Sequence, residues 1–254
     1  MLLAIDIGNT NITIGGFEGD DLCFTARAAT DRSLTADQYA VQLKSLIDLK
    51  CSSESSIDSA IISSVVPPLT GIIAGAISTL WGVDPLIVGP GVKTGLNILI
   101  DDPAQTGADL VAVSVAAKAL FPLPNVVCDL GTASTITVLD KNGNMIGGVI
   151  YPGIRTSLEA LVSNTSLLQL IGLEAPSRVI GRSTAECMQS GMIHGAASLL
   201  DGMIERIEAE LGMPVTAIAT GGFGKTVIPN CKKKFEYSDN LILLGLKIIS
   251  DKNR

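Results

Sequence analysis

Two short runs carry the clearest chemical potential. Asp6-Ile7-Gly8-Asn9-Thr10-Asn11 and Asp129-Leu130-Gly131-Thr132-Ala133 each set a carboxylate near the end of an apolar stretch, then a glycine, then small polar side chains. Glycine lets a backbone approach a ligand closely. Amide N–H groups in a tight turn cradle phosphate oxygens, and a neighbouring carboxylate can hold a hydrated Mg²⁺ that neutralises them. One such run also fits an ordinary turn in which the aspartate bonds its own backbone. Two in matching contexts point to phosphate chemistry. A third run, Thr220-Gly221-Gly222, follows the apolar stretch VTAIA. It suits either a backbone laid flat against an adenosine or a loop that needs positive φ.

The elements that must position these runs are legible in outline. LLAIDIGNTNITIGGF reads as two strands joined at a Gly-Asn turn, with Asp6 near the end of the first. Thr35 and Gln38 form a capping box that opens a helix with Tyr39, Leu43, Leu46 and Ile47 on one stripe. Residues 59–66 read as a buried strand, Pro67-Pro68 as a turn, residues 69–81 as a helix ended by Gly82, and residues 85–89 as another strand. A glycine-rich loop, GPGVKTG, occupies residues 89–95, and a helix pattern runs from Gly107 to Phe121. Three strands follow from Asn125, the last two joined at Lys141-Asn142-Gly143. Ser183 and Glu186 form a second capping box, heading a helix that continues to Leu211, roughly 40 Å long by its rise per residue. A strand at VTAIAT and a helix over 241–249 complete the chain.

Composition narrows the function. The 254 residues are 47% hydrophobic and 17% charged, which suits one compact domain or two small ones. A net charge of -7 offers no cationic field for nucleic acid or an anionic membrane. Five scattered cysteines with no CxxC pair argue for a reducing compartment and against disulfide or metal frameworks. The single histidine, His194, lies mid-helix and suits a packed role, which leaves little room for histidine-based triads or zinc sites. The amino terminus has no basic region, and Asp6 interrupts its apolar stretch, so no signal peptide is expected. With no uninterrupted apolar stretch of about 18 residues, a soluble cytoplasmic protein is expected.

An internal echo organises the whole. Ala4-Ile5-Asp6-Ile7-Gly8 followed by Ile12-Thr13-Ile14 recurs as Val127-Cys128-Asp129-Leu130-Gly131 followed by Ile136-Thr137-Val138. Two similar α/β lobes are therefore expected, one over residues 1–120 and one over 121–254, the second holding the long helix, whose length suits crossing an interface. With the Gly-Gly run as third member, the order of motifs resembles the superfamily of acetate and sugar kinases, heat-shock chaperone ATPases and actin. That resemblance implies duplicated ribonuclease-H-like lobes facing across a nucleotide cleft that holds ATP.

Competing motifs fail on context. Residues 219–226, ATGGFGKT, match a relaxed Walker A pattern, but Pro229 interrupts the required helix and no Walker B strand follows. Lys225 then reads as a surface charge. An aspartyl-phosphate phosphatase would need a second carboxylate where Gly8 stands. GPGVKTG leads into LNILIDDP rather than a helix, so it is no dinucleotide fingerprint and reads as a substrate-facing loop.

Taken in order, MLLAIDIGNTNI, ISSVVPPL, GPGVKTG, DDPAQTGAD, PGIRTSLEAL and TAECMQSGM resemble the type III pantothenate kinases over nearly the whole chain. The resemblance implies phosphorylation of the primary hydroxyl of pantothenate by ATP, the first step of coenzyme A biosynthesis, with a monovalent cation (K⁺ or NH₄⁺) and a homodimer. It implies that Asp109, at the head of a helix, is the general base. Asp6, Gly8, Asn9, Thr10 and Asn11 would lie at the phosphates with Mg²⁺, and Asp129 would hold the monovalent cation. Gly131, Thr132, Thr220, Gly221 and Gly222 would contact ATP. Ile100, Gly107, Ala108, Leu110 and Thr184 would line the pantothenate site, Thr184 reaching it across the dimer. Two positions depart from the family pattern: Leu110 stands where arginine is usual, and Ile100 where tyrosine is usual. The substrate carboxylate loses a charged partner there unless Lys93 or Arg155 replaces it. A second reading therefore stays open, a nucleotide-binding homologue that acts on another small alcohol or serves as a non-catalytic regulator.

Overall fold

The computed structural model describes residues 1–51 and 56–254. The chain divides into two compact units. Unit 1 comprises Met1–Leu96, Asp101–Ala116 and Leu241–Arg254, and unit 2 comprises Asn97–Ile100 and Ala117–Asn240.

In unit 1, β1 (Leu2–Ile7), β2 (Asn11–Glu18) and β3 (Asp21–Ala29) form an antiparallel meander, and β4 (Ser59–Ser64) and β5 (Leu86–Ile87) add parallel strands in the order β3-β2-β1-β4-β5. Residues on β1 are buried on both faces because helices cover both. The stripes of α1 (Ala36–Asp48) and α2 (Pro67–Trp81) share one apolar cluster with Leu3, Ile5 and Ile7, while the final helix α7 (Leu241–Asp251) packs on β1, β2 and β4. Thr35 caps α1 in a reciprocal box with Gln38, as the sequence predicts. Pro67 and Pro68 are not a turn but the first residues of α2, where an absent N–H costs nothing. Of the strand expected over 85–89, only Leu86–Ile87 pairs regularly.

Unit 2 repeats the plan. The strands β7 (Asn125–Leu130), β8 (Ala133–Leu139), β9 (Asn144–Pro152), β10 (Thr216–Thr220) and β11 (Phe235–Tyr237) reproduce the meander and its two parallel additions. A short strand, β6 (Asn97–Ile98), extends the β9 edge, giving the order β11-β10-β7-β8-β9-β6. The echo of Asp6 in Asp129 is thus an equivalence of β1 with β7. The helix α3 (Ala108–Leu120) belongs to unit 1 as far as Ala116, and α4 (Ile154–Ser163), α5 (Thr184–Leu211) and the one-turn α6 (Gly224–Val227) belong to unit 2. Ile193, Ala197, Leu200 and Ile204 on α5 close the core over Val126, Cys128 and Ile136. The second capping box is only half formed. Ser183 accepts the Glu186 N–H at 3.2 Å, but the Glu186 carboxylate takes the Arg182 N–H at 2.7 Å instead of that of Ser183.

The helix at the C-terminus falls in unit 1, whereas the division of the sequence at residue 120 assigned it to the second lobe. The apolar face of α7 finds its partners on β1 and β4, a long-range match that local pattern does not encode.

One buried acid secures unit 2. Asp201, 7% exposed on α5, accepts the backbone N–H of Lys232 at 2.8 Å and of Lys233 at 2.9 Å, fixing the chain that leads into β11. Asp201→Ala leaves both donors unsatisfied and is expected to destabilise the fold by about 1–3 kcal/mol, read as an earlier urea midpoint at unchanged slope.

Among the described residues no helix is long and apolar enough to cross a membrane. The five cysteines are free thiols. Burial raises the Cys128 thiol far above its ordinary range, so it packs as a small apolar group.

Candidate active site

The first phosphate-type turn is built at the carboxyl end of β1. Asp6 pairs in register with Thr13 on β2 and with Ser63 on the parallel β4. The carboxyl ends of parallel strands are where open α/β sheets bind ligands. Gly8 N–H closes the turn on Asn11 O at 3.0 Å, and Asn9, Thr10 and Asn11 are exposed beyond it. Thr30, just past β3, clamps the turn twice: its N–H donates to Thr10 O at 3.0 Å and its Oγ1 to Gly8 O at 2.7 Å. Arg32 Nη2 donates to Asn9 Oδ1 at 3.0 Å. No sequence motif singles out Arg32, since only the fold carries the end of β3 back to this turn.

Asp109 stands in the first turn of α3. Its Oδ1 accepts the Leu110 N–H at 2.8 Å, and the carboxylate leans back over Gly107. A Cβ on Gly107 would lie 2.3 Å from that Oδ1, so glycine is what lets the acid take this posture. Burial raises the Asp109 pKa from the ordinary carboxylate value, and the Leu110 N–H lowers it by less. The head of α3 is tied to the β1 turn through Val65. Its N–H bonds Ile7 O at 3.1 Å, and its Cγ1 lies 3.5 Å from the Cβ position of Gly107. Asp6 and Asp109 therefore occupy the same end of the unit 1 sheet, with Ala108 and Leu110 flanking the acid.

In unit 2 Asp129 stands near the carboxyl end of β7, and Gly131 and Thr132 form the turn to β8. Thr132 O accepts the N–H of Gly153, the residue that opens α4, at 3.1 Å, and Thr156 Oγ1 at 2.8 Å. Thr220 pairs with Asp129 across the parallel β7 and β10. Gly221 follows at φ +90°, and a Cβ there would lie 2.4 Å from Asp129 Oδ1 and 2.6 Å from Leu130 N. Phe223 N–H then bonds Leu130 O at 3.2 Å. The Asp-Gly run and the Gly-Gly run, about ninety residues apart, are one structure. Two other expected residues lie elsewhere in unit 2. Ile100 is half-buried beyond β6, three strands from β7, and Thr184 is the exposed first residue of α5.

Three further sequence features have the following surroundings. Lys225 is exposed, ion-paired with Asp239 and 5.7 Å over the Tyr237 ring, and the helix it sits in is one turn long. The loop over 89–95 is pinned where Lys93 exchanges backbone bonds with the Asn253 side chain, at 3.0 and 2.9 Å. His194 lies within α5, with Nε2 buried and given no hydrogen-bond partner.

Among the described residues no group of three or more His, Cys, Asp and Glu side chains is gathered to hold a metal by itself. The donor set fits a cation of another kind. Mg²⁺ is ordinarily held by one or two carboxylates, waters and substrate phosphates, and Asp6 beside a phosphate-type turn offers that environment.

Comparison with known proteins identifies the family. A family model described as type III pantothenate kinase matches residues 2–206. The type III pantothenate kinase of Pelobacter propionicus is 41% identical over 254 residues, which is 100% of both chains. The chain belongs to the type III pantothenate kinase family. Solved structures extend the likeness to fold alone. A Campylobacter jejuni protein described as a Baf family transcriptional activator matches with TM-score 0.65 at 20% identity, covering 99% of this chain and 98% of that one. A Sinorhizobium meliloti protein described as a 2-dehydro-3-deoxygalactonokinase matches with TM-score 0.61 at 14% identity, covering 98% and 96%. A type III pantothenate kinase of this build is an actin-like ATPase fold, two α/β units of one plan.

Proposed function

We propose that this chain transfers the terminal phosphoryl group of ATP to the primary hydroxyl of pantothenate, the step that opens coenzyme A biosynthesis, with Asp109 as the general base. The observation that carries the assignment of roles is the placement of Asp6, the Gly8–Asn11 turn and Asp109 at one end of a single sheet in a member of this family.

The turn's backbone amides and the Asn9 and Thr10 side chains hold the phosphates. Mg²⁺ bound with ATP supplies neutralising charge there, and Asp6 would hold it. Asp109 accepts the hydroxyl proton while the hydroxyl oxygen bonds to the terminal phosphorus. The bond from that phosphorus to its bridging oxygen breaks, giving ADP and the phosphorylated alcohol. The raised pKa of Asp109 makes it a stronger base than a solvated aspartate. Thr132, Gly131 and the Thr220–Gly222 turn contact the nucleotide, and Asp129 holds a monovalent cation, K⁺ or NH₄⁺. A homodimer built on α5 would present Thr184 to the pantothenate of the other copy. Free thiols throughout and dependence on ATP support a cytoplasmic location.

The test is pantothenate-dependent ADP release with Mg²⁺, in potassium and then in sodium buffer. Potassium-dependent turnover is the expected result. Nucleotide binding without turnover would favour the reading as a regulator or a kinase for another small alcohol. For the pocket, Leu110→Arg is expected to lower the KM for pantothenate about tenfold, by restoring a charge-assisted partner for its carboxylate. An unchanged KM would mean that another cation already fills that role.

A further inference from the structure

We propose that Arg32 is a phosphate-binding residue of this site, the cation that meets the terminal phosphate of ATP at the β1–β2 turn. The inference rests on the reading of that turn as the phosphate site.

The placement of Arg32 does not depend on its own side chain. On one side, Thr30 fixes the chain to the turn by its bonds to Thr10 O and Gly8 O. On the other, the buried Tyr39 of α1 holds Asp31 by two bonds: Tyr39 Oη accepts the Asp31 N–H at 3.0 Å and donates to Asp31 O at 2.7 Å. With the backbone secured on both flanks, the guanidinium is free of any duty in holding the loop. It reaches Asn9, at the tip of the turn, and stops there.

Its charge is left uncommitted. Among the described residues no carboxylate forms a salt bridge with Arg32. The adjacent acid, Asp31, is turned the other way and accepts from Ser33 N–H at 2.9 Å and Ser33 Oγ at 2.6 Å. A neutral amide oxygen satisfies one donor of a planar fork and none of its charge. The other donors remain for an acceptor, and the geometry of that fork suits phosphate oxygens. The bond to Asn9 also orients the asparagine, because an Oδ1 held by Arg32 leaves its amide N–H₂ free to donate to a second phosphate oxygen.

Charge accounting explains the need. Phosphoryl transfer spreads negative charge over the transferring group, and protein cations at that position act chiefly by electrostatic stabilisation. Asp6 and Asp109 bring two acids to this end of the sheet, in a chain whose net charge is -7. An arginine at the turn opposes that field where the phosphates would lie.

The experiment compares Arg32→Ala, Arg32→Lys and Asp6→Asn in the full chain, with steady-state kinetics and calorimetric titration of ADP and of the non-hydrolysable ATP analogue AMPPNP. Arg32→Ala is expected to lower kcat/KM for ATP about ten- to a hundredfold, to weaken AMPPNP about tenfold and to leave ADP affinity and the KM for pantothenate within about twofold. Arg32→Lys should recover part of the loss, and the melting temperature should not move because the side chain is exposed. Unchanged kinetics in Arg32→Ala, equal weakening of ADP and AMPPNP, or a change confined to the KM for pantothenate would each overturn the assignment. Asp6→Asn separates the two levels. If it impairs ATP use while Arg32→Ala does not, Arg32 alone is misassigned, and if neither variant affects nucleotide use, the turn is not the phosphate site.

Discussion

Asp109→Asn is expected to lower turnover by about 10² to 10⁴ while leaving nucleotide affinity nearly unchanged, because the variant keeps the posture of the side chain and removes its capacity to accept a proton. The amide Oδ1 can still take the Leu110 N–H that now holds the carboxylate at 2.8 Å. Gly107 leaves room for either group. A fall in turnover with intact AMPPNP titration would therefore report chemistry and not misfolding. Turnover equal to that of the parent would mean that the base is misassigned.

The same acid makes two pH predictions of opposite use to the protein. Burial raises its pKa, and only the ionised form is a base, so kcat/KM should fall on the acid side through a pKa above the ordinary aspartate value. In Asp109→Asn that limb should disappear from the residual rate. For stability, a folded-state pKa above the unfolded one means that the native state binds more protons between the two values. Stability then falls as pH rises through that window, and the charged acid is a net cost above it. Removal of the charge should make Asp109→Asn at least as stable as the parent at neutral pH, with the difference vanishing at acid pH. An inactive variant that is also clearly less stable at neutral pH would contradict the burial argument. This is the expected conflict between a buried functional charge and fold stability.

What the sequence disclosed and what it hid follow from the range of the forces involved. The strand-Asp-Gly-turn-strand units at Asp6 and Asp129 were legible because each is a local pattern, and their recurrence exposed the duplication that the two sheets display. The box at Thr35 was legible for the same reason. The strand β3 was not, since its inward positions include Ala26 and Ala28, small residues of weak strand preference that give little alternation. The start of α4 at Gly153 has no side-chain cap and so no signal. Only three residues form β11, whose pairing depends on β10 beside it. Within the candidate site, Asp6, Asp109 and Asp129 could be read as carboxylates in motifs. The tie from Ile7 through Val65 to Gly107, and the approach of Arg32 to Asn9, join segments far apart in the chain and exist only in the fold.

Gly221→Ala should combine a stability loss of about 2–5 kcal/mol with impaired nucleotide binding, and the two effects have one cause. At φ +90° a side chain is strained by about 1–2 kcal/mol whatever surrounds it. Here the surroundings are rigid as well. The added methyl would meet Leu130 N at 2.6 Å and Leu130 C at 2.7 Å, backbone atoms of β7 that cannot turn aside, at an overpacking cost of about 1–3 kcal/mol. Relief requires β10 and β7 to separate near their carboxyl ends. That movement breaks the Phe223 N–H bond to Leu130 O and displaces the Asp129 carboxylate, whose Oδ1 would sit 2.4 Å from the new carbon. Gly222, with open space at its Cβ position, is the control: Gly222→Ala introduces no such contact and should perturb the fold far less. Denaturant midpoints give the first difference and AMPPNP titration below the melting temperature gives the second. A Gly221→Ala protein as stable as Gly222→Ala would show that the strands yield at little cost. If it were destabilised yet bound nucleotide as the parent does, the junction of the Gly-Gly and Asp-Gly turns would serve the fold of unit 2 and not the nucleotide.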